Sequence, residues 1–317
     1  MRFIQLLAML AIACVAHAQY PVRAIKIVVP YAAGGLPDTM TRAVTPKLGE
    51  SLGQPVVVEN MGGAGGISGV TEVARAQPDG YTLLVADVGQ IAINPHLFTK
   101  LPYDPMKDLA PVSLIGTSPL YLVAHPTVPV NSLKDLVAYA KANPGKLNYG
   151  SSGIGSIHHL ATEALKAGFG IDIVHVPYKG TGQSVPALLG GQVALLYSAL
   201  PSIAGHLKDG KVKILAISSA KRSPQTPEVP TVAESGIAGY DYVAEIGMLA
   251  PAGTPRDIVQ KLSAQAARAV KQPDVMERFK QLGIDAVGST PEAYATLNKS
   301  DYEKYAKLVK ASGAKID

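Results

Sequence analysis

The chain has 317 residues, 47% hydrophobic and 17% charged, with 31 Gly, 24 Pro, one Cys and no Trp. Those figures exclude a collagen, a coiled coil, a disulfide framework and a long disordered tail, and at roughly 150 residues per domain they leave a folded chain of two units. Net charge is +5, yet the basic residues are scattered, in runs no longer than pairs such as Lys221-Arg222 and without interleaved aromatics, so nucleic acid is not an expected partner.

In chain order, residues 1–18 open with Arg2, continue through an apolar stretch from Phe3 to Val15 and end in Ala16-His17-Ala18. This is the pattern of a secretory signal peptide cleaved after Ala18, which places the mature chain outside the cytoplasm, in the periplasm. Cleavage would also remove Cys14, and with it any disulfide or thiol chemistry. Lipidation of Cys14 is the weaker reading, because Ala11 stands where that motif usually has a larger aliphatic residue. Nothing later offers a run of about 18 apolar residues free of Pro and charge.

The strand pattern begins at Ile25 to Pro30, a continuous β-branched run, and passes through a Gly-containing segment and a helical stretch to Val56 to Glu59 and a second Gly-rich loop at Gly62 to Gly66. The same order recurs at Leu147 to Ser151, the loop Gly153-Ile154-Gly155, a helix through Leu165, a strand over Ile171 to Val176, and Tyr178-Lys179-Gly180. Uninterrupted apolar strands alternating with helices predict a parallel sheet covered on both faces, here once per lobe. Further strands are expected at Thr82 to Ala86, Tyr121 to Ala124, Val193 to Tyr197, Lys213 to Ser218 and Val243 to Leu249, with a surface loop over Pro224 to Pro230. Pro255 to Val270, Asp274 to Leu282 and Pro291 to Ala311 read as amphipathic helices. Pro46, inside the first helix, predicts a kink.

In an open α/β sheet the ligand crevice lies beyond the carboxyl ends of the strands, where loops feed helix N-termini with unpaired N–H groups. Tyr31-Ala32-Ala33-Gly34-Gly35 has side chains small enough for an anion to reach the backbone, and Ser151-Ser152-Gly153-Ile154-Gly155-Ser156 adds hydroxyls. Either loop alone equally fits a tight turn; their repetition at matching positions favours a pair of anion sites suited to a small carboxylate. Gly63-x-Gly65-x-x-Ser68 and Gly153-x-Gly155-x-x-His158 fall short of a dinucleotide fingerprint, so no cofactor is expected. Asp38 fits a helix N-cap, with attraction of a ligand ammonium as the alternative. The histidines lack metal spacing, and adjacent His158 and His159 point about 100° apart on a helix. His159 could reach an anion or simply pack; His175 sits in an apolar strand. No Gly-x-Ser-x-Gly elbow is present, Gly150-Ser151-Ser152-Gly153 lacking the spacing.

These residues resemble a family. Pro30-Tyr31-Ala32-Ala33-Gly34-Gly35-x-x-Asp38, Leu52-Gly53-Gln54-Pro55-Val56-Val57-Val58-Glu59-Asn60, Pro78-Asp79-Gly80-Tyr81-Thr82, His175-Val176-Pro177-Tyr178-Lys179-Gly180 and Leu249-Ala250-Pro251-Ala252-Gly253-Thr254-Pro255 are similar to segments of the Bug, or TctC-like, solute-binding proteins. The resemblance spans essentially the whole mature chain. It implies an α/β, two-lobe, type II periplasmic binding-protein fold of the Venus flytrap kind, each lobe a mostly parallel sheet flanked by helices, with lobe 1 formed by 19–120 plus 241–317 and lobe 2 by 121–240. It also implies a monomeric, non-enzymatic receptor without metal or cofactor that delivers a small carboxylated solute to a tripartite tricarboxylate transporter.

Carried over by motif, the proximal carboxylate site falls on Tyr31, Ala32, Ala33, Gly34, Gly35 and Asp38, and the second-lobe site on Ser151, Ser152, Gly155, Ser156, His159 and Tyr178, with Asp87 and Ser198 at further strand ends. Two departures stand out: Glu245 replaces a frequent aromatic, and Ala194 replaces a frequent Asp. A Glu245 facing the cleft would disfavour a second ligand carboxylate there; an exposed edge-strand Glu is the alternative. A signalling receptor and a secreted hydrolase are the rival functions.

Overall fold

The computed structural model describes residues 20–316. The expected signal peptide, Cys14 and the cleavage position after Ala18 lie outside the described residues. The first unit runs β1 (Ile25–Val29), α1 (Leu36–Leu52), β2 (Val56–Asn60), α2 (Ile67–Ala74), β3 (Thr82–Asp87), a π-turn over Gly89–Ile93, α3 (Asn94–Leu97), α4 (Pro105–Asp108) and β4 (Leu109–Pro119). The chain then crosses to β5 (Tyr121–Ala124), α5 (Leu133–Ala142), β6 (Asn148–Ser151), α6 (Ile157–Phe169), β7 (Val174–Pro177), α7 (Thr181–Leu189), β8 (Leu195–Ser198), α8 (Leu200–Lys208) and β9 (Lys213–Ile217). It returns through β10 (Val243–Pro251), α9 (Arg256–Val270), α10 (Pro273–Gln281), β11 (Asp285–Ala286) and α11 (Pro291–Ser312).

The strands form two sheets, ordered β11-β4-β10-β3-β1-β2 and β7-β6-β8-β5-β9. Both are mixed rather than mostly parallel. β1 pairs parallel with β2 and β3, and β6 with β7 and β8, as the repeated βαβ pattern requires. The strands that carry the chain between sheets run the other way: β10 is antiparallel to β3 and β4, and β5 to β8 and β9. Strand β4, which the sequence pattern left unassigned, is the largest correction. Its polar residues are buried against distant partners: Ser113 Oγ donates to Ser289 O at 2.8 Å, and the Ser289 hydroxyl accepts from Leu114 N–H at 2.9 Å. α1 runs unbroken to Leu52 with Pro46 inside it.

Alternation along the strands sets the layers. Ile25, Ile27 and Val29 face Met40, Val44 and Leu48 of α1 and Leu262 and Ala266 of α9, while Val28, Leu84 and Leu249 face Val70 and Val73 of α2 and Tyr294 of α11. In the second sheet Tyr149, Leu195 and Tyr197 pack with Leu160 and Leu165 of α6, and Leu196 packs with Val185 and Leu188 of α7. Burial of each such side chain contributes roughly 1.5–3 kcal/mol.

Two features tie the units together. The crossings between sheets are stitched by buried Ser218, which accepts from Leu120 N–H at 2.9 Å and donates to Tyr242 O at 2.6 Å. The 22-residue helix α11 spans them: Tyr294 belongs to the core of the first sheet, Tyr305 and Val309 to that of the second.

Candidate functional site

At the carboxyl end of β1 the chain turns into α1 without a side-chain cap. Gly35, not Asp38, is the N-cap residue, and Pro37 in the first turn presets the helical backbone. Asp38 sits one turn inside and reaches back: its Oδ2 accepts from Gly34 N–H at 2.8 Å, and its Oδ1 from Arg42 Nε and Asn60 Nδ2, both at 2.9 Å. Asn60 Nδ2 also donates to Tyr31 O at 3.2 Å, and Arg42 Nη2 donates to Asn60 Oδ1 at 2.8 Å. Burial alone would raise the Asp38 pKa, but the hydrogen bonds from Gly34, Asn60 and Arg42 outweigh it and hold the carboxyl below its ordinary range. Asp38 is therefore a pin for the loop, with its acceptor sites facing donors of the protein. The amides of Ala32, Ala33 and Gly35 donate to no protein group among the described residues.

The Gly-rich loop after β2 lies directly on this first loop. A Cβ added at Gly62 would sit 2.8 Å from Ala32 N and 3.0 Å from Tyr31 C, so only glycine permits the backbones to approach this closely. A third strand end completes the floor. Tyr31 OH donates to Asp87 Oδ2 at 2.7 Å and accepts from Gln90 Nε2 at 2.9 Å, while Gly89 N–H donates to Asp87 Oδ1 at 2.7 Å. Gln90 Nε2 and Asn94 Nδ2 both donate to Gly65 O, at 3.2 and 2.9 Å. Burial pushes the Tyr31 hydroxyl well above its ordinary pKa, with the Asp87 charge adding to it; burial also raises Asp87, against the bonds from Tyr31 and Gly89.

The second-lobe loop is built differently, because its hydroxyls and imidazoles satisfy one another. Ser151 Oγ lies 2.7 Å from His175 Nε2 and accepts from Gly153 N–H at 3.1 Å; Ser152 Oγ lies 2.7 Å from His158 Nδ1. Ser156 caps α6, its Oγ accepting from His159 N–H at 3.3 Å and donating to Gly153 O at 2.8 Å. Gly155 N–H donates to His159 Nδ1 at 3.0 Å, which leaves the proton of the neutral ring on Nε2. The His159 and His175 rings stack at 4.0 Å and 11°, and Tyr149 stacks on His175 at 4.8 Å. Burial drives His158 down to about 4; burial, then the His159 ring, drives His175 down to about 4. Burial likewise lowers His159. Both Ser–His contacts lack an orienting carboxylate among the described residues, so neither has the geometry of a hydrolytic triad. Tyr178 packs against Gly150, where an added Cβ would be 3.4 Å from its Cε2. Gly155, at φ +74, abuts the Leu97 side chain at the end of α3 and so brings the two units into contact.

The fold thus brings Tyr31 to Gly35, Asp38 and Asp87 together in one cluster, and Ser151, Ser152, Gly155, Ser156 and His159 in another. Ser198 ends β8, fully buried, its hydroxyl without a partner among the described residues. Glu245 stands apart from both clusters. It lies on β10, an interior strand, and faces α11, where it is buried beside Asp301. Asp301 Oδ1 takes Lys304 Nζ at 2.8 Å, whereas Asp301 Oδ2 is buried without a donor unless Glu245 carries a proton and supplies it. Burial, then Asp301, pushes Glu245 up to about 9. Asn60, Arg42, Gln90 and Asn94 were not among the expected site residues. Asn60 closes the β2 motif and was a usable signal; Gln90 and Asn94 lie in a π-turn and a one-turn helix that periodicity does not reveal. Among the described residues no group of three or more His, Cys, Asp or Glu could hold a metal, and no helix is long and apolar enough to cross a membrane.

Two mixed α/β sheets joined by short crossings, with unpaired loop amides at the strand ends, define a two-lobed solute-binding receptor. Residues 40–314 match the family described as tripartite tricarboxylate transporter family receptor, and the chain belongs to that family. It is 37% identical over 298 residues to Protein BugT of Bordetella pertussis, covering 94% of this chain and 91% of that protein. Among solved structures, R. palustris Rpa4515 with adipate is similar at 33% identity and TM-score 0.85 (94% of this chain, 100% of that one). MatC from Rhodopseudomonas palustris with bound malate is similar at 37% identity and TM-score 0.80 (92% and 100%).

Proposed function

We propose that this protein is a periplasmic receptor, exported by a cleaved signal peptide, that captures a small carboxylated solute between its lobes and hands it as a monomer to the membrane subunits of a tripartite tricarboxylate transporter. Lobe 1 comprises residues 19–120 plus 241–317 and lobe 2 residues 121–240, with α11 bridging them. Binding requires no chemistry on the solute and no cofactor. The observation that carries the reading is the trio of unpaired amides at Ala32, Ala33 and Gly35, held in place by Asp38 and Asn60. Backbone N–H groups at a helix N-terminus stabilise a carboxylate without a counter-cation. Adipate and malate in the two relatives support a carboxylate as the solute.

The solute shifts the equilibrium to the closed state only through contacts it makes better there. A thermal-shift screen of the mature chain against dicarboxylates, tricarboxylates, aromatic acids and amino acids tests the reading. A ligand at about 100 times its Kd stabilises by roughly 2.7 kcal/mol, several degrees in Tm. A shift with one class of carboxylate is expected; shifts only with uncharged or cationic solutes would overturn it.

A further inference from the structure

From strand to strand, the chain crosses between the two sheets at one place. β4 ends at Pro119 and β5 begins at Tyr121, and the return passes through Asp241 and Tyr242 into β10, whose Val243 pairs with Pro119. Any change in the angle between the lobes turns on these few residues. Ser218 ties the two crossings to each other, and one turn of α11, Asp301 to Tyr305, lies against them. That turn follows Tyr294, anchored in the core of the first sheet, and ends at Tyr305, anchored in the core of the second. It grips both sides of the return crossing. Lys304 Nζ donates to Asp241 O at 3.3 Å and lies 5.4 Å from the centre of the Tyr242 ring, which Tyr305 meets edge-on at 6.1 Å. On the β10 side Asp301 meets Glu245, which pairs with Thr117 near the end of β4 and so stands beside the outgoing crossing as well.

The contact between Glu245 and Asp301 requires a proton. Both carboxyl groups are buried, and the ammonium beside them, Lys304 Nζ, is bound to Asp301 Oδ1 at 2.8 Å. Asp301 Oδ2 is buried with no other donor among the described residues. A proton on Glu245 supplies that donor. Without it, two carboxylates face each other in a buried site served by one cation. The other ionisable groups around Glu245 do not offset a second negative charge: Asp241 is acidic, and burial keeps the hydroxyls of Tyr242, Tyr294 and Tyr305 neutral, above their ordinary pKa. Burial, then Asp301, therefore keeps Glu245 protonated at neutral pH and releases the proton only in alkaline solution.

We propose that Glu245, Asp301 and Lys304 form a hinge brace: joined by one shared proton, they hold α11 on the crossings, fix the spacing of the lobes and so position the two loops for the solute without touching it. The effect on the solute rests on the receptor reading above; the brace itself does not. Loss of the proton drives the two carboxylates apart, frees α11 from β10 and spreads the lobes over several spacings. Apparent affinity for a solute held between lobes then falls with the fraction of molecules at the binding spacing.

Distances between spin labels test the brace on residues 19–317, which contain no cysteine of their own, with one label on each unit through Arg75→Cys and Lys208→Cys, both exposed positions. Without solute, this chain is expected to give one narrow distance distribution at pH 7 and a broad one at pH 10, reversibly. Glu245→Gln keeps a donor to Asp301 Oδ2 but has no proton to release, so it stays narrow at both. In calorimetry on the unlabelled chain, malate, doubly charged at both pH values, should bind about tenfold more weakly at pH 10 than at pH 7, and to the Gln variant with less than a twofold change. A distribution equally narrow at both pH values in the parent chain, or equally broadened in Glu245→Gln, would overturn the brace. Malate affinity that is unchanged in the parent, or that falls equally in both chains, would overturn its role in positioning the loops. If no carboxylate binds at either pH, the receptor reading fails and the distances alone decide the brace.

Discussion

The two glycine loops occupy matching places in the repeated βαβ units, yet they expose opposite chemistry. The first, Tyr31 to Gly35, is pinned from outside by Asp38, which takes the Gly34 amide, and by Asn60 and Gln90, and keeps the amides of Ala32, Ala33 and Gly35 free. The second, Ser151 to Ser156, spends the amides of Gly153, Gly155 and Ser156 on its own hydroxyl, imidazole and carbonyl. A loop braced by its neighbours is free to hold an anion, while a loop braced by itself presents shape and neutral groups. The same sequence device, small residues after a strand, thus yields one loop with free amides and one whose polar groups are spent on itself.

The largest expected effect separates the two loops by removing the close approach of the first. Gly62→Val should force the Ala32 backbone away and abolish carboxylate binding, a loss of at least about 100-fold by calorimetry. Asp38→Ala comes next. It leaves Gly34 N–H, Asn60 and Arg42 without their acceptor and should cost about 2–4 kcal/mol in denaturant unfolding, against about 1 kcal/mol for Ser156→Ala, the cap of the self-braced loop. Similar losses for the two would erase the distinction.

The loops should also part on acidification. His158 and His175 have folded pKa values near 4, below their ordinary value, so the unfolded chain binds protons first and stability falls as pH drops from about 6.5 to 4. Asp38, held below its ordinary range, releases its contribution only as pH falls through its depressed pKa. Thermal melts between pH 7 and 4 should show this decline, and His175→Gln should flatten it. The smallest effect has the opposite sign. Glu245, raised to about 9, favours the folded state most below its ordinary pKa and loses that contribution as pH rises toward 9. Glu245→Gln should keep the donor to Asp301 and flatten the stability profile between pH 5 and 9; an unchanged profile would place the titration elsewhere.

Much of this was legible in the chain. The β-branched runs located β1 and β2, and the repeated order of strand, glycine loop and helix located β6 and the second loop, because local backbone demands set those segments. β4 was not legible: its Ser113 and Leu114 are satisfied by Ser289, far along the sequence, and only the folded sheet reveals the pairing. Asp38 carried an N-cap signal, but Pro37 lets α1 begin earlier and turns the same carboxylate into a pin. Glu245 was visible as an anomaly in the motif; its explanation, a buried partner on α11, lies in the long-range packing of that helix across β10.

In the proposed receptor, free backbone amides of the first loop, and not a cation or the second loop, hold the carboxylate. Amide spectra of the 15N-labelled mature chain titrated with malate test it directly. The largest shifts are predicted at Ala32, Ala33 and Gly35, with Gly34, whose amide is bound to Asp38, moving little. Binding of malate with those three signals unmoved and the main shifts at Ser152 to Ser156 would contradict it.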